Sequence, residues 1–270
     1  MLNKKLLMYK KSLIDGVCKY SINSSGEATM SDTIDIDGAF DNIMTIERNS
    51  FSYAFYNCVG LSGEVLFPKL TKIIDSNITS STIGAIQIYS DEGSNGLYYA
   101  FRGCTGISGV SFPELVSVGK SGMRGAFYDC TGIRSISFPK LVNVGQYGFQ
   151  LAFIRGTNIT SAHFPLLNEI ASYGMSDCFS GCTALRSVSF PKLAKVYSSG
   201  LGGTFRGSSI SSISFPSLVG GSSSFNHETF AECTSLTEIH FREDAESFIT
   251  GLYYYSSNFG APNATIYFDL

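Results

Sequence analysis

The chain has 270 residues, a formal net charge of −3 and only 15% charged residues. That balance excludes the basic stripes that nucleic-acid binding requires, and no stretch approaches the roughly 18 apolar residues of a bilayer span. Gly (28) and Phe (21) are abundant, as turns and a packed aromatic spine demand, and Trp is absent.

The N-terminal stretch Met1–Lys11 is basic, but its apolar run is only Leu6-Leu7-Met8. A secretory core needs about 7 to 15 apolar residues, so the stretch reads as an N-terminal segment and not as an export signal. Cys18, in Gly-Val-Cys-Lys, lacks the small apolar setting of a lipoprotein cleavage site. Ser31–Asp37 alternates polar and apolar residues, the period of a strand. Residues 1–45 are expected to cap the solenoid described next, or to attach it to something larger.

From about residue 46 one phrase recurs: Phe-x-x-Cys-x-x-Leu, then a short run ending in Phe-Pro. The prolines are Pro68, Pro113, Pro139, Pro165, Pro191 and Pro216, spaced by 45, 26, 26, 26 and 25 residues. Each module opens on a Phe: Phe55, Phe101, Phe127, Phe153, Phe179, Phe205 and Phe230. The Cys slot reads Cys58, Cys104, Cys130, Gly156, Cys182, Gly207 and Cys233. An aliphatic follows, then a frame such as Ile107-x-x-Val110-x-Phe112. The end of that frame alternates, so Val110 and Phe112 should point inward and Gly109 and Ser111 outward. The Pro after it lacks an amide proton and ends the strand. Before each Phe-x-x-Cys stands a Gly and a large apolar residue, as in Gly122-Met123 and Gly148-Phe149. That reads as a turn into a short helix or 3-10 segment. A period of about 20 to 29 residues means a solenoid in which no module buries its own apolar face. The surplus between Pro68 and Pro113 falls at 75–95 and reads as an insertion. Residues 243–270 should close the far end, with Ala264–Leu270 as a last strand and Tyr253-Tyr254-Tyr255 over the last coil.

This pattern resembles the BspA-like leucine-rich repeat family over residues 46–242. The resemblance implies an α/β repeat: a right-handed solenoid of about seven coils of ~26 residues, with a concave parallel β-sheet and short helical or 3-10 segments on the convex side. The family acts mostly in adhesion and ligand binding on bacterial surfaces or in secreted form, which gives the expected location of this chain.

Little catalytic chemistry is expected. The seven cysteines are odd in number and five share one repeat slot. Replacement by Gly in equivalent modules argues for a small buried position instead of disulfides or zinc. His163 and His240 share an outward slot three coils apart, about 15 Å at the strand spacing, and cannot share a metal or a proton. His227 lies outside the strand frame. No hydrolase, metalloprotease or phosphate-loop motif is present. No cofactor or metal is therefore expected. Asn77 and Asn158 begin glycosylation sequons, which a repeat of bacterial type would leave unused.

The outward strand face is the candidate site. One column reads Ser111, Ser137, His163, Ser189, Ser214 and His240; the other reads Ser135, Ser161, Ser187, Ser212 and Glu238. Small hydroxyls could hydrogen-bond an extended glycan or a protein partner, yet the face lacks the Trp, Tyr and Arg anchors of a tight interface. The functional expectation is a non-enzymatic binding or adhesion module without nucleic acid or membrane insertion. The alternative is a structural subunit of an appendage or phage particle, attached through residues 1–45.

Overall fold

A computed structural model describes residues 20–22, 28–30, 34–35, 41, 45–46, 51–73, 96–221, 225, 228–252 and 255–270. Cys18, His227, the insertion at 75–95, the Asn77 sequon and Tyr253-Tyr254 lie outside the described residues, as does most of 1–45.

The repeat folds as a parallel-strand solenoid in which most modules contribute two strands. The first set is β3 (Ile34–Asp35), β5 (Leu61–Leu66), β7 (Ile107–Ser111), β9 (Ser135–Ser137), β11 (Ser161–His163), β13 (Ser187–Ser189), β15 (Ser212–Phe215) and β16 (Glu238–Phe241). β17 (Thr265–Phe268) closes it, parallel to β16 and in register from Glu238↔Thr265 to Phe241↔Phe268. The second set is short: β4 (Thr45–Ile46), β6 (Lys72–Ile73), β8 (Ser117–Val118), β10 (Asn143–Val144), β12 (Glu169–Ile170) and β14 (Lys195–Val196), forming one uninterrupted six-stranded sheet. A separate antiparallel pair, β1 (Tyr20–Ile22) and β2 (Ala28–Met30), precedes them.

Alternation sets which side chains enter the core. In β15, Ile213 and Phe215 are buried while Ser212 and Ser214 are exposed. The module-opening and strand-ending Phe residues form two stacks along the axis. Phe101, Phe127 and Phe153 follow one another with centroids 5.3 and 5.4 Å apart and rings within 5° of parallel. Phe67, Phe112 and Phe138 follow at 5.1 and 5.3 Å. Each such ring removes a large apolar area from water, so the stack contributes strongly to cohesion between coils.

The long-strand sheet is not continuous. Its ladders are β3-β5-β7-β9, β11-β13 and β15-β16-β17. Both interruptions coincide with a departure from the repeat. The coil of β11 carries the smallest core residues, Gly156 and Ala162. The coil of β15 is the one shortened to 25 residues. There the Phe stack widens, to 5.9 Å between Phe138 and Phe164 and 6.1 Å between Phe190 and Phe215.

The expected helical or 3-10 segments opposite the strands do not form; those segments are chains of turns. The reason is in the hydrogen bonds. Tyr99, Phe101 and Gly103 donate their amides to Arg124, Ala126 and Tyr128 of the next coil, while Ala100, Arg102 and Cys104 donate three residues back. Alternate amides are thus committed to the neighbouring coil, which a helix cannot allow. Every fourth residue turns left-handed to permit it, as at Tyr147, Leu151 and Arg155. Beyond β16 a five-residue helix, α1 (Glu246–Thr250), buries Ile249.

Candidate functional site

The structure places the predicted outward residues as expected but groups them in three sets. β7 and β9 align Ser111 with Ser137 and Gly109 with Ser135. β11 and β13 align Ser161 with Ser187 and His163 with Ser189. β15 and β16 align Ser212 with Glu238 and Ser214 with His240. Ladder pairing does not carry Ser137 to His163, nor Ser189 to Ser214. Ser135, Ser137, Ser161, His163, Ser187, Ser212, Ser214 and Glu238 are exposed; Ser111, Ser189 and His240 are half-buried. The expected smooth hydroxyl sheet is three short ladders.

The third ladder ends in a charged group. His240 Nδ1 lies 2.8 Å from Asp269 Oδ1 and its Nε2 lies 3.5 Å from Glu238 Oε2. The ring stacks on Tyr267 at 4.9 Å. Hydrogen bonding to Asp269, reinforced by Glu238, raises the His240 pKa above its ordinary value. His240 thus ties β16 to the closing strand.

The cysteine slot proves to be more than a small hydrophobe. Cys104, Cys130, Cys182 and Cys233 each direct Sγ at the carbonyl oxygen of the preceding module's opening Phe, at 2.9, 2.9, 3.1 and 2.9 Å. The slot in the shortened module is Ser208, not Gly207. Gly207 has φ +68°, like Gly181 one coil earlier, and Ser208 donates its amide to Phe205 O as Cys182 does to Phe179 O. Counting back from Pro216 misplaces it, because the missing residue falls between the slot and the strand end, whereas counting three residues on from Phe205 gives Ser208. All six described cysteines are free and buried. Burial pushes the Cys130 and Cys182 thiols up to about 12, so they are not nucleophiles. Among the described residues no group of three His, Cys, Asp or Glu could hold a metal ion.

On the turn side lies a feature the strand pattern did not reveal. Arg102 is sandwiched in one column between Tyr56 and Tyr128, its Cζ 5.4 and 4.3 Å from the ring centroids, and it also touches Tyr99 at 5.4 Å. Arg124 lies against Tyr98 and Tyr147 at 5.8 and 5.6 Å. Tyr53 stacks on Tyr99 at 5.8 Å, and Tyr147 on Tyr173 at 5.4 Å. Gly125 makes room for this: a Cβ there would sit 2.3 Å from Tyr99 Cε1. Burial, then the hydroxyl of Tyr98, pushes Tyr53 up to about 12, and burial likewise raises Tyr99. The signal was the residue after each opening Phe: Tyr56, Arg102, Tyr128.

The family model for the BspA type leucine rich repeat region matches residues 40–152, 98–219 and 151–262. The chain belongs to the BspA-type leucine-rich repeat family. Among solved structures it is similar to a leucine-rich repeat protein from Bacteroides ovatus, at 14% identity over 95% of this chain and 78% of that one, with a TM-score of 0.38. No curated protein matches it. Among the described residues no helix is long and apolar enough to cross a membrane.

Proposed function

We propose that this chain is a non-enzymatic binding module that presents the strand face of a leucine-rich repeat to a protein or glycan partner. Membership of the family supports a repeat protein used for binding. The observation that carries the reading is the pair of columns Ser161–Ser187 and His163–Ser189, exposed except for the half-buried Ser189 and held in register by parallel strands. Their backbone groups are committed to the ladder, so recognition falls to the side chains. Many weak contacts on a rigid face would give modest affinity at little ordering cost. In this reading the solenoid is right-handed with seven coils, the strand face is concave, and the module works at a cell surface or after secretion.

The test is an array of glycans and extracellular matrix proteins probed with the wild-type chain and with Ser161→Arg/Ser187→Arg. A partner bound by the wild type and lost by the folded double variant supports the reading. A partner bound equally by both removes the strand face from recognition.

A further inference from the structure

We propose that the tyrosine–arginine strip on the turn side binds an acidic polysaccharide, one whose sugar rings carry carboxylates. This surface is separate from the strand face.

Arg102 and Arg124 flank the Tyr98–Tyr99 pair, whose rings are 4.6 Å apart. Neither guanidinium has an ion-pair partner among the described residues, although Arg155 pairs with Asp129 at 3.7 Å and Arg206 with Glu232 at 2.7 Å. Nε of Arg124 is buried without a hydrogen-bond acceptor. Among the described residues these two positive charges stand uncompensated, on a chain of net charge −3. Tyrosine rings lie against their faces, so an oxyanion would meet the guanidinium groups at their terminal N–H groups. A guanidinium edge matches a carboxylate bidentately, and the stacking fixes that edge before a ligand arrives.

The surrounding groups favour a sugar over a peptide. The tyrosine hydroxyls can both donate and accept, as sugar hydroxyls require. Tyr173 is 39% exposed. It stacks on Tyr147 on one side, and Ser199 fills its slot in the next coil, so among the described residues no ring covers its second face. That electron-rich face can take the C–H side of a pyranose. A peptide would look for backbone partners, and these amides are spent: Tyr99, Ala100 and Phe101 donate to Arg124, Leu97 and Ala126. No strand can be added here.

The test is isothermal titration of the full chain with polygalacturonate oligomers, dextran, dextran sulfate and poly-L-glutamate at about 0.15 M salt. Saturable binding of polygalacturonate is expected, at least about tenfold tighter than the other three. Arg102→Gln and Arg124→Gln should each weaken it about tenfold, whereas Lys192→Gln, an exposed charge in the turn after β13, should leave it unchanged. Arg102 packs between rings, so the wild type supplies a second readout. Polygalacturonate, and not dextran, should shift the tyrosine absorption spectrum of a chain that has no Trp. Absence of saturable binding overturns the proposal. So does equal binding of dextran sulfate, a general charge effect, or tighter binding of poly-L-glutamate, which would mark an acidic protein site. Undiminished binding by folded arginine variants overturns it too.

Discussion

Cys130 reaches back one coil, and its Sγ lies 2.9 Å from the carbonyl oxygen of Phe101. The same oxygen accepts the amide of Cys104 at 3.1 Å. One carbonyl thus joins a turn within its own coil to a side chain of the next. Ser208 fills the slot in the shortened module and contacts Cys233 Sγ at 3.5 Å, so where the slot carries a polar side chain that side chain is small and can donate a hydrogen bond, while Gly156 leaves it without one. Cys130→Ser should therefore keep the donor and cost under about 1.5 kcal/mol in urea unfolding. Cys130→Val should cost about 2 kcal/mol or more, from a lost donor and an added methyl in a packed slot.

Thiol chemistry checks the same ladder. In a Cys18→Ser background the remaining six cysteines are all buried. None should react with a disulfide reagent at pH 8 in the native state, and all six should react in guanidinium. Rapid labelling of any of them in native protein would place that slot at the surface.

The phenylalanine stack should dominate stability. Phe138 is buried and contacts Phe112, Phe149, Phe153 and Phe164. Phe138→Ala should cost about 3–5 kcal/mol in chemical denaturation. Ser161→Ala, on the exposed face, should stay within about 0.5 kcal/mol.

The His240–Asp269 contact predicts a pH dependence. The folded-state pKa of His240 is raised, chiefly by Asp269 and secondly by Glu238. Its contribution is fully present below the ordinary His value of about 6.5, and is lost as pH rises through the higher folded value. Thermal melts of wild type and His240→Gln should differ most near pH 6 and converge by about pH 9. A gap that grows with pH would contradict the assignment.

The module was legible because the core residues recur at fixed spacing. Val110, Ile136 and Ile213 announce the long strands, and Pro113, Pro139 and Pro216 their ends. The second sheet was equally written, in Leu115-x-x-Val118 and Leu141-x-x-Val144. Its strands are only two residues long, too short for alternation to show. The turn side misled for a different reason. Its backbone bonds join residues about 26 apart, such as Phe101 to Ala126, and local propensity does not report them. The outward serines were identifiable by phase alone, whereas the gaps between β9 and β11 and between β13 and β15 depend on packing at Ala162 and on one missing residue.

Excision of one coil tests the stacked repeat most directly. Removing residues 139–164 joins Phe138 to Pro165 and takes out 26 residues, one full module. The shortened chain should keep its circular dichroism shape and unfold cooperatively in urea, with an m-value lower by roughly a tenth, in proportion to the residues removed. Removing 139–161 instead breaks the phase and should abolish cooperative unfolding. If both deletions fold equally well, or if the full-module deletion yields an unfolded or aggregated chain, coils stacked in 26-residue register are not what holds this protein together.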